Sequence, residues 1–398
     1  MQSRTLTKVA ATLVIMLAIG IVWFAVACGE EATTTTGATT ATTVATTEAP
    51  TSTETSAVTS ETTETTSPAQ AEYKLLFATY SSENGFGSAG LQAFGKDLEE
   101  KTNGRVKVEY SYSQALGKIP QYYDILINGT ADVVFFSPYQ TTGMFPLCEV
   151  GTLPFIQPNA VTGSKAFAEV YRAGLLDERV YKDFKALFVC GDGGSNLRNN
   201  KRPVIELADA KGLKIMIPGG EITSARVKAM GAVPVVITGT DVYPALQKGT
   251  IDGQLTGWAP MIQFKWCEVN KYATEPLIGG SPWIVGMNWD SYNRLPEDIR
   301  KIIDEMAQDD KYMLAAAEQV DKMNETSRNC FLEHGGKIDQ WSSSALEQLG
   351  KNMVGVWDKW IKDNEAKGLK ARDLVDAYYH ALEQLGVTNP GVGYTPSK

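Results

Sequence analysis

LADAKGLKIMIPGGEITSARVKAMGAVPVVITGTDVYPALQKGTIDGQLTGW, residues 207–258, alternates short apolar runs with helical patterns. Leu213–Ile217 reads as a strand, and Pro218-Gly219-Gly220 as a turn. Glu221–Met230 follows as a helix stopped by Gly231. Val233–Ile237 is a second strand, Asp241–Lys248 a helix with Val242, Ala245 and Leu246 on one side, and Ile251–Leu255 a third strand. Strand, helix, strand, helix, strand in about fifty residues is the pattern of a parallel sheet covered by helices. Ligands of such sheets sit beyond the carboxyl ends of the strands, where loops and helix N-termini converge. Met216–Gly220 and Thr256–Trp258 are therefore expected to floor a site.

The same unit recurs upstream. Tyr73–Ala78 reads as a strand, and Ser88–Asn103 as an amphipathic helix carrying Leu91, Phe94 and Leu98. Val106, Val108 and Tyr110 alternate with Lys107 and Glu109, the two-residue period of a strand. Ile119–Asn128 reads as a helix and Asp132–Phe136 as a buried strand, with Ser137 and Tyr139 in the loop at its carboxyl end. Thr162–Leu176 is a further helix and Ala186–Cys190 a further strand. Gly191-Asp192-Gly193-Gly194 suits a crossing between two halves. From Pro296 to His334 one helical pattern runs through Ile299, Ile302, Met306, Met313, Ala316, Val320 and Met323. As a single helix it would reach about 50 Å at 1.5 Å per residue, long enough to brace two halves. Trp357–Leu385 adds helices in which Tyr378 and Tyr379 pack, and the tail from Asn389 reads as loose.

Composition narrows the function. Of 398 residues, 43% are hydrophobic and 21% charged, enough to bury a sizeable core. A formal charge of −9 and the absence of a basic stripe exclude a nucleic-acid partner. His334 and His380 are the two histidines, and neither forms a triad or metal pair. No nucleophile elbow, zinc helix or dinucleotide fingerprint is present. Gly90–Lys96 imitates the start of a phosphate loop, but Asp97 replaces the required hydroxyl and the segment lies inside a helix. No catalytic residue, metal or cofactor is expected. Cys148, Cys190, Cys267 and Cys330 lie far apart without a C-x-x-C; disulfides and buried thiols both remain open.

The first residues belong to export rather than to the folded body. Arg4 and Lys8 precede an apolar run from Val9 to Ala27 that ends in small residues before Cys28. Residues 1–27 resemble a lipoprotein signal, which would make Cys28 the lipidated first residue of the mature chain. Ala25 departs from that signal's usual Leu. An uncleaved membrane anchor is the alternative, and either route tethers the body outside the cell membrane. Residues 28–71 follow as a tether, with 18 Thr between Gly29 and Gln70 and almost no large apolar side chain. Such a segment cannot bury enough surface to offset its ordering entropy.

Several blocks resemble the extracytoplasmic solute-binding proteins of TRAP transporters (tripartite, ATP-independent, periplasmic). They are KGLKI-x-IPGG, MGAVPV, DVYPALQKGTIDGQ, EVNKYAT and GMNWDSYNRLPEDI, preceded by EEKTNGRVKVEYSYSQALG and NGTADVVFFSPYQTTGMFPLCEVGTLPF. The resemblance runs from about Tyr73 to His334. It implies an α/β, two-lobed periplasmic-binding-protein-like fold with a hinge and a long helix bridging both lobes. It divides the chain into lobe I, residues 72–193 plus 282–321, and lobe II, residues 194–281 plus 322–398. It further implies capture of a small organic molecule outside the cell and delivery to TRAP membrane subunits for ion-gradient-driven uptake. A ligand-sensing ectodomain that reports to a receptor would use the same fold.

By the same resemblance, carboxylate binders carry an Arg where this chain has Met216, and many carry an Asn where it has Thr256. A further Arg of the family falls on Asn196. Two outcomes follow. Another cation, Arg198, Lys201 or Arg202, holds an acid, because a guanidinium offers parallel donors to a carboxylate. Alternatively the ligand lacks a carboxylate there and rests on Met216 and Trp258, an adaptable thioether and a flat ring. A buried carboxylate without a partner costs several kcal/mol, which favours the second and argues against a simple C4-dicarboxylate. Ser137 and Tyr139 are candidate hydrogen-bonding residues from the first lobe. Phe264 and Trp266 read as packing residues, and Glu221 as the acidic complement to a helix start.

Overall fold

The computed structural model describes residues 72–141, 143–388, 390–391 and 394–396. The export signal, Cys28 and the tether lie outside the described residues. The described strands are, in chain order, β1 (Tyr73–Thr79), β2 (Val106–Ser111), β3 (Val133–Phe136), β4 (Lys185–Gly191), β5 (Asn196–Asn199), β6 (Lys214–Ile217), β7 (Val233–Val236), β8 (Gly253–Thr256), β9 (Tyr272–Glu275), β10 (Pro282–Met287) and β11 (Lys337–Gln340).

They form two sheets, one per lobe. The first has the order β2-β1-β3-β10-β4 and the second β11-β9-β5-β8-β6-β7. β1 runs parallel to β2 and β3, while β10 enters antiparallel between β3 and β4. In the second sheet β6 is parallel to β7 and β8, and β5 is antiparallel to β8 and β9. Every residue of β3 and of β10 is buried. Central strands covered on both faces read as continuous apolar runs, as Val133–Phe136 does. The helix Ser88–Lys101 buries Leu91, Phe94 and Leu98 at the expected spacing.

The chain leaves the first sheet at Gly191 and enters the second at Asn196, so Asp192–Ser195 is one crossing. It returns between β9 and β10. The two crossings run side by side: the Ile278 amide donates to the Ser195 carbonyl, and the Ser195 hydroxyl to the Gly279 carbonyl at 2.8 Å. Paired crossings of this kind let two lobes rotate about a shared axis.

The long helix expected over Pro296–His334 is two helices, Glu297–Ala307 and Lys311–Glu333. The chain breaks at Gln308-Asp309-Asp310, and the Asp309 carboxylate accepts the amide of Lys311, the first residue of the next helix. The second piece alone spans both lobes, about 34 Å for its 23 residues. At its first half Tyr312 packs on Phe94, and Asp321 accepts the Ala160 and Val161 amides at 2.8 and 3.1 Å. At its second half Asn324 accepts the Ala259 amide, Phe331 packs on Trp258, and Cys330 is disulfide-bonded to Cys267. Cys148 and Cys190 are buried free thiols.

Two further helices complete the body. Ser343–Glu365 packs on Glu221–Ala229, and Ala371–Gln384 packs on both Ser343–Glu365 and Ala160–Arg172. The tail read as loose is docked where it is described: the Tyr394 ring stacks on Trp357 at 4.6 Å.

Candidate ligand-binding site

Between the sheets lies a cleft of about 80 Å³. One water needs roughly 10–15 Å³ by the same measure, so the space suits a small molecule rather than a single solvent. Both lobes wall it. Tyr80, Phe86, Tyr139 and Trp283 come from the first sheet and its loops; Met216, Thr256, Phe264 and Trp266 come from the second. Strand ends place them there: Tyr80 follows β1, Tyr139 follows β3, Met216 lies on β6, and Thr256 closes β8.

Of the residues singled out from sequence, Met216, Thr256 and Tyr139 reach the cavity. Met216 is only 1% exposed and also joins the apolar cluster of Val242, Leu246, Trp258 and Trp266. Ser137 stands one layer back, its hydroxyl 2.6 Å from that of Tyr80. Asn196, Arg198 and Trp258 are buried behind the second-lobe wall. The Arg198 guanidinium bonds to Asn196 Oδ1 at 2.7 Å, to the Thr256 and Gly257 carbonyls at 2.7 Å, and to Thr256 Oγ1. It also lies 4.8 Å from the centre of the Trp258 ring, a cation over an aromatic face. Trp258 is thus a platform for Arg198, while Phe264 and Trp266, read from sequence as packing, line the cavity. Lys201 and Arg202 are exposed; Lys201 pairs with Asp252, and Arg202 bonds to the Asp209 and Lys211 carbonyls.

A cation that the sequence reading did not single out, Arg226, lines the cavity. It rises from the helix Glu221–Ala229 into the cavity wall and is 2% exposed. Nη1 donates to Ser195 Oγ at 3.1 Å and to the Ile278 carbonyl; Nη2 donates to Thr223 Oγ1 at 3.1 Å. Its Nε is buried with no partner among the described residues. Asp192 also lines the cavity, its Oδ1 accepting the Gly194 and Ser281 amides at 3.1 and 2.7 Å. Burial pulls Arg198 down to about 9 and Arg226 to about 10, so both remain protonated at neutral pH. Burial also raises the Asp192 carboxyl, against the lowering effect of the Gly194 and Ser281 amides.

A larger groove of about 390 Å³ opens on the other side of Tyr139, between the segment 143–149 and the helices Glu221–Ala229 and Ser343–Glu365. It holds Glu149, which burial, aided by Glu221 and Asp177, pushes up to about 7. Neither buried guanidinium lines it, so the cleft between the sheets is the better candidate for solute capture. His334 sits one helical turn after Cys330, a proximity the sequence reading missed, and with Cys267 forms a group of ligand type. The two sulfurs are bonded to each other, which removes them as metal ligands.

Two lobes, a bridging helix and a cleft between the sheets match the known proteins that this chain resembles. The model of the family 7 bacterial extracellular solute-binding proteins matches residues 77–363. The chain belongs to this family. A solute-binding protein of Verminephrobacter eiseniae is 29% identical over 264 residues, 65% of this chain and 74% of that one. The C4-dicarboxylate-binding periplasmic protein of Vibrio cholerae is 23% identical over 286 residues, 71% of this chain and 82% of that one. Among solved structures, a marine metagenome TRAP solute binding protein, specific for aromatic acid ligands and crystallised with 3-hydroxybenzoate, is 27% identical. It covers 79% of this chain and 99% of its own, with a TM-score of 0.72. The family 7 chain is accordingly an extracytoplasmic binding protein that captures a small organic solute for a TRAP transporter, and not an enzyme.

Proposed function

We propose that the solute is held in the cleft between the sheets and that closure of lobe I (72–193 plus 282–321) on lobe II (194–281 plus 322–398) traps it. One observation carries this reading: the cavity wall is shared between the two sheets, so neither lobe alone encloses a ligand. The division at residue 321 falls inside the helix Lys311–Glu333, between contacts to Ala160 and contacts to Ala259. Helix Ala371–Gln384, in the second division, rests partly on Ala160–Arg172 and straps the lobes together. Met216, Thr256 and Tyr139 touch the solute, while Asn196, Arg198, Trp258 and Ser137 support the wall that does so.

The apolar and aromatic lining suits a solute with a flat organic body, and the structural relative that takes aromatic acids supports that direction. Export and lipidation at Cys28 would keep the binding domain at the outer face of the membrane, on a tether through residues 28–71, beside the TRAP membrane subunits. The test is mass spectrometry of the solute that co-purifies with the chain, joined to a melting panel of organic acids, sugars and amines. A bound solute raises the melting temperature by mass action. A panel and an extract that leave the melt unmoved would refute capture in this cavity.

A further inference from the structure

The charged groups at the cavity carry an inference about the solute, resting on the cavity being its site. Three buried side chains of the acidic and basic types surround the space among the described residues: Arg226 and Asp192 in its wall, and Arg198 behind Thr256 and Gly257. With Asp192 ionised, two guanidinium groups and one carboxylate sum to +1. No salt bridge joins Asp192 to either arginine among the described residues, since each is held by neutral or backbone groups. A buried net charge without a counter-ion is costly. The missing charge is −1.

Arg226 can also present that charge with a geometry. A guanidinium has five N–H donors. Two on Nη1 go to Ser195 and Ile278, and one on Nη2 goes to Thr223. The Nε–H has no partner among the described residues, and with Nη2, whose recorded bond is the one to Thr223, it forms the edge that binds a carboxylate side-on. The walls define the rest of the solute. Phe86 stacks on Trp283 with ring centres 5.3 Å apart, and Phe264 on Trp266 at 5.2 Å. One pair comes from each lobe, and all four rings line the cavity. Together they favour a flat, polarisable body.

We infer that Arg226 is the carboxylate anchor of this cleft, standing in for the strand position occupied by Met216, and that the solute is an aromatic monocarboxylate. The anchor sits on the hinge, since Ser195 and Ile278 belong to the two crossings. Solute binding at Arg226 therefore touches the axis about which the lobes move. Asp192, fixed by the Gly194 and Ser281 amides, sets the count: a second ligand carboxylate brings the cavity to −1, and a neutral solute leaves it at +1.

Isothermal calorimetry with benzoate, isophthalate and benzyl alcohol on the full chain tests this. Benzoate should bind at least tenfold more tightly than either of the others. Arg226→Gln should weaken benzoate on the order of 10- to 100-fold, the loss of charge-assisted hydrogen bonds. Arg226→Lys, which keeps charge but loses parallel donors, should fall between. Asp192→Asn should shift preference toward isophthalate by about tenfold. Equal affinity for the three compounds overturns the inference, as does a folded Arg226→Gln that binds benzoate unchanged. If the Arg226 variants do not fold, the unmodified chain's ranking and Asp192→Asn decide it. A chain that binds a sugar or amine and no aromatic acid loses this inference alone; one that binds no solute at all loses the capture site as well.

Discussion

Replacing Met216 by Arg restores the cation that the family's carboxylate binders carry, and the cavity's charges give its effect a size. The side chain is 1% exposed and borders both the cavity and the Trp258 cluster. An added guanidinium raises the local count from +1 to +2. In the ligand-free chain this buries a third unpaired cation and disturbs a packed methionine, a loss of about 3 kcal/mol. The melting temperature should then fall by roughly 4–5 °C. A dicarboxylate supplies the second negative charge. At about 4 Å and an effective dielectric near 20 the new pair is worth about 4 kcal/mol, most of it spent on desolvation. A net gain of about 1.4 kcal/mol, tenfold in affinity, is expected for succinate or isophthalate, with benzoate unchanged or weaker. Calorimetry beside differential scanning reads both effects. A folded variant with an unshifted melt and no gain for either dicarboxylate would show that residue 216 does not face the solute.

Other perturbations probe the frame. Cys267 and Cys330 are 63 residues apart in sequence, so Cys330→Ser should release about 4 kcal/mol of loop-closure stabilisation. Urea melts that match with and without reductant would remove this disulfide from the stability of the chain. Glu149 has a folded pKa raised from 4.5 to about 7, so the folded state holds its proton more tightly than the unfolded. Stability should therefore decline by up to about 3 kcal/mol as pH rises from about 4.5 to 7 and then level off, a decline that Glu149→Gln should flatten. An identical pH profile in the variant would place the titration elsewhere. Arg198→Met removes the guanidinium donor from Asn196 Oδ1 and the Thr256 carbonyl, and leaves the Gly257 carbonyl to the Thr256 hydroxyl, a cost of about 3 kcal/mol. It also brings the cavity to neutrality, so monocarboxylate affinity should drop while that for benzyl alcohol holds. Unchanged ranking would argue against the charge count.

The strand–helix–strand units were legible because burial imposes a period: Val133–Phe136 is apolar throughout, and Leu91, Phe94 and Leu98 recur at helical spacing. The break at Gln308–Asp310 was not, because those residues are equally at home on a helix surface. Arg226 escaped because arginine is rarely fully buried. A signal existed: it falls four residues after Ile222 and beside Val227, on the face that this helix buries. Trp266 lines the cleft although sequence read it as packing, and Lys265 takes a left-handed turn, φ 57°, just before it, between the short helix Pro260–Gln263 and Trp266–Glu268. No local pattern announces that turn. Choosing Cys267 and Cys330 from four cysteines likewise needs the path of the bridging helix.

The most direct measurement is a crystal structure of the chain grown with benzoate. The account predicts the ring between the Phe86–Trp283 and Phe264–Trp266 pairs, both carboxylate oxygens about 3 Å from Arg226, and the lobes closed over it. Benzoate seated instead in the groove at Glu149, or an Arg226 turned from the solute with no ligand atom in hydrogen-bond reach, would contradict it.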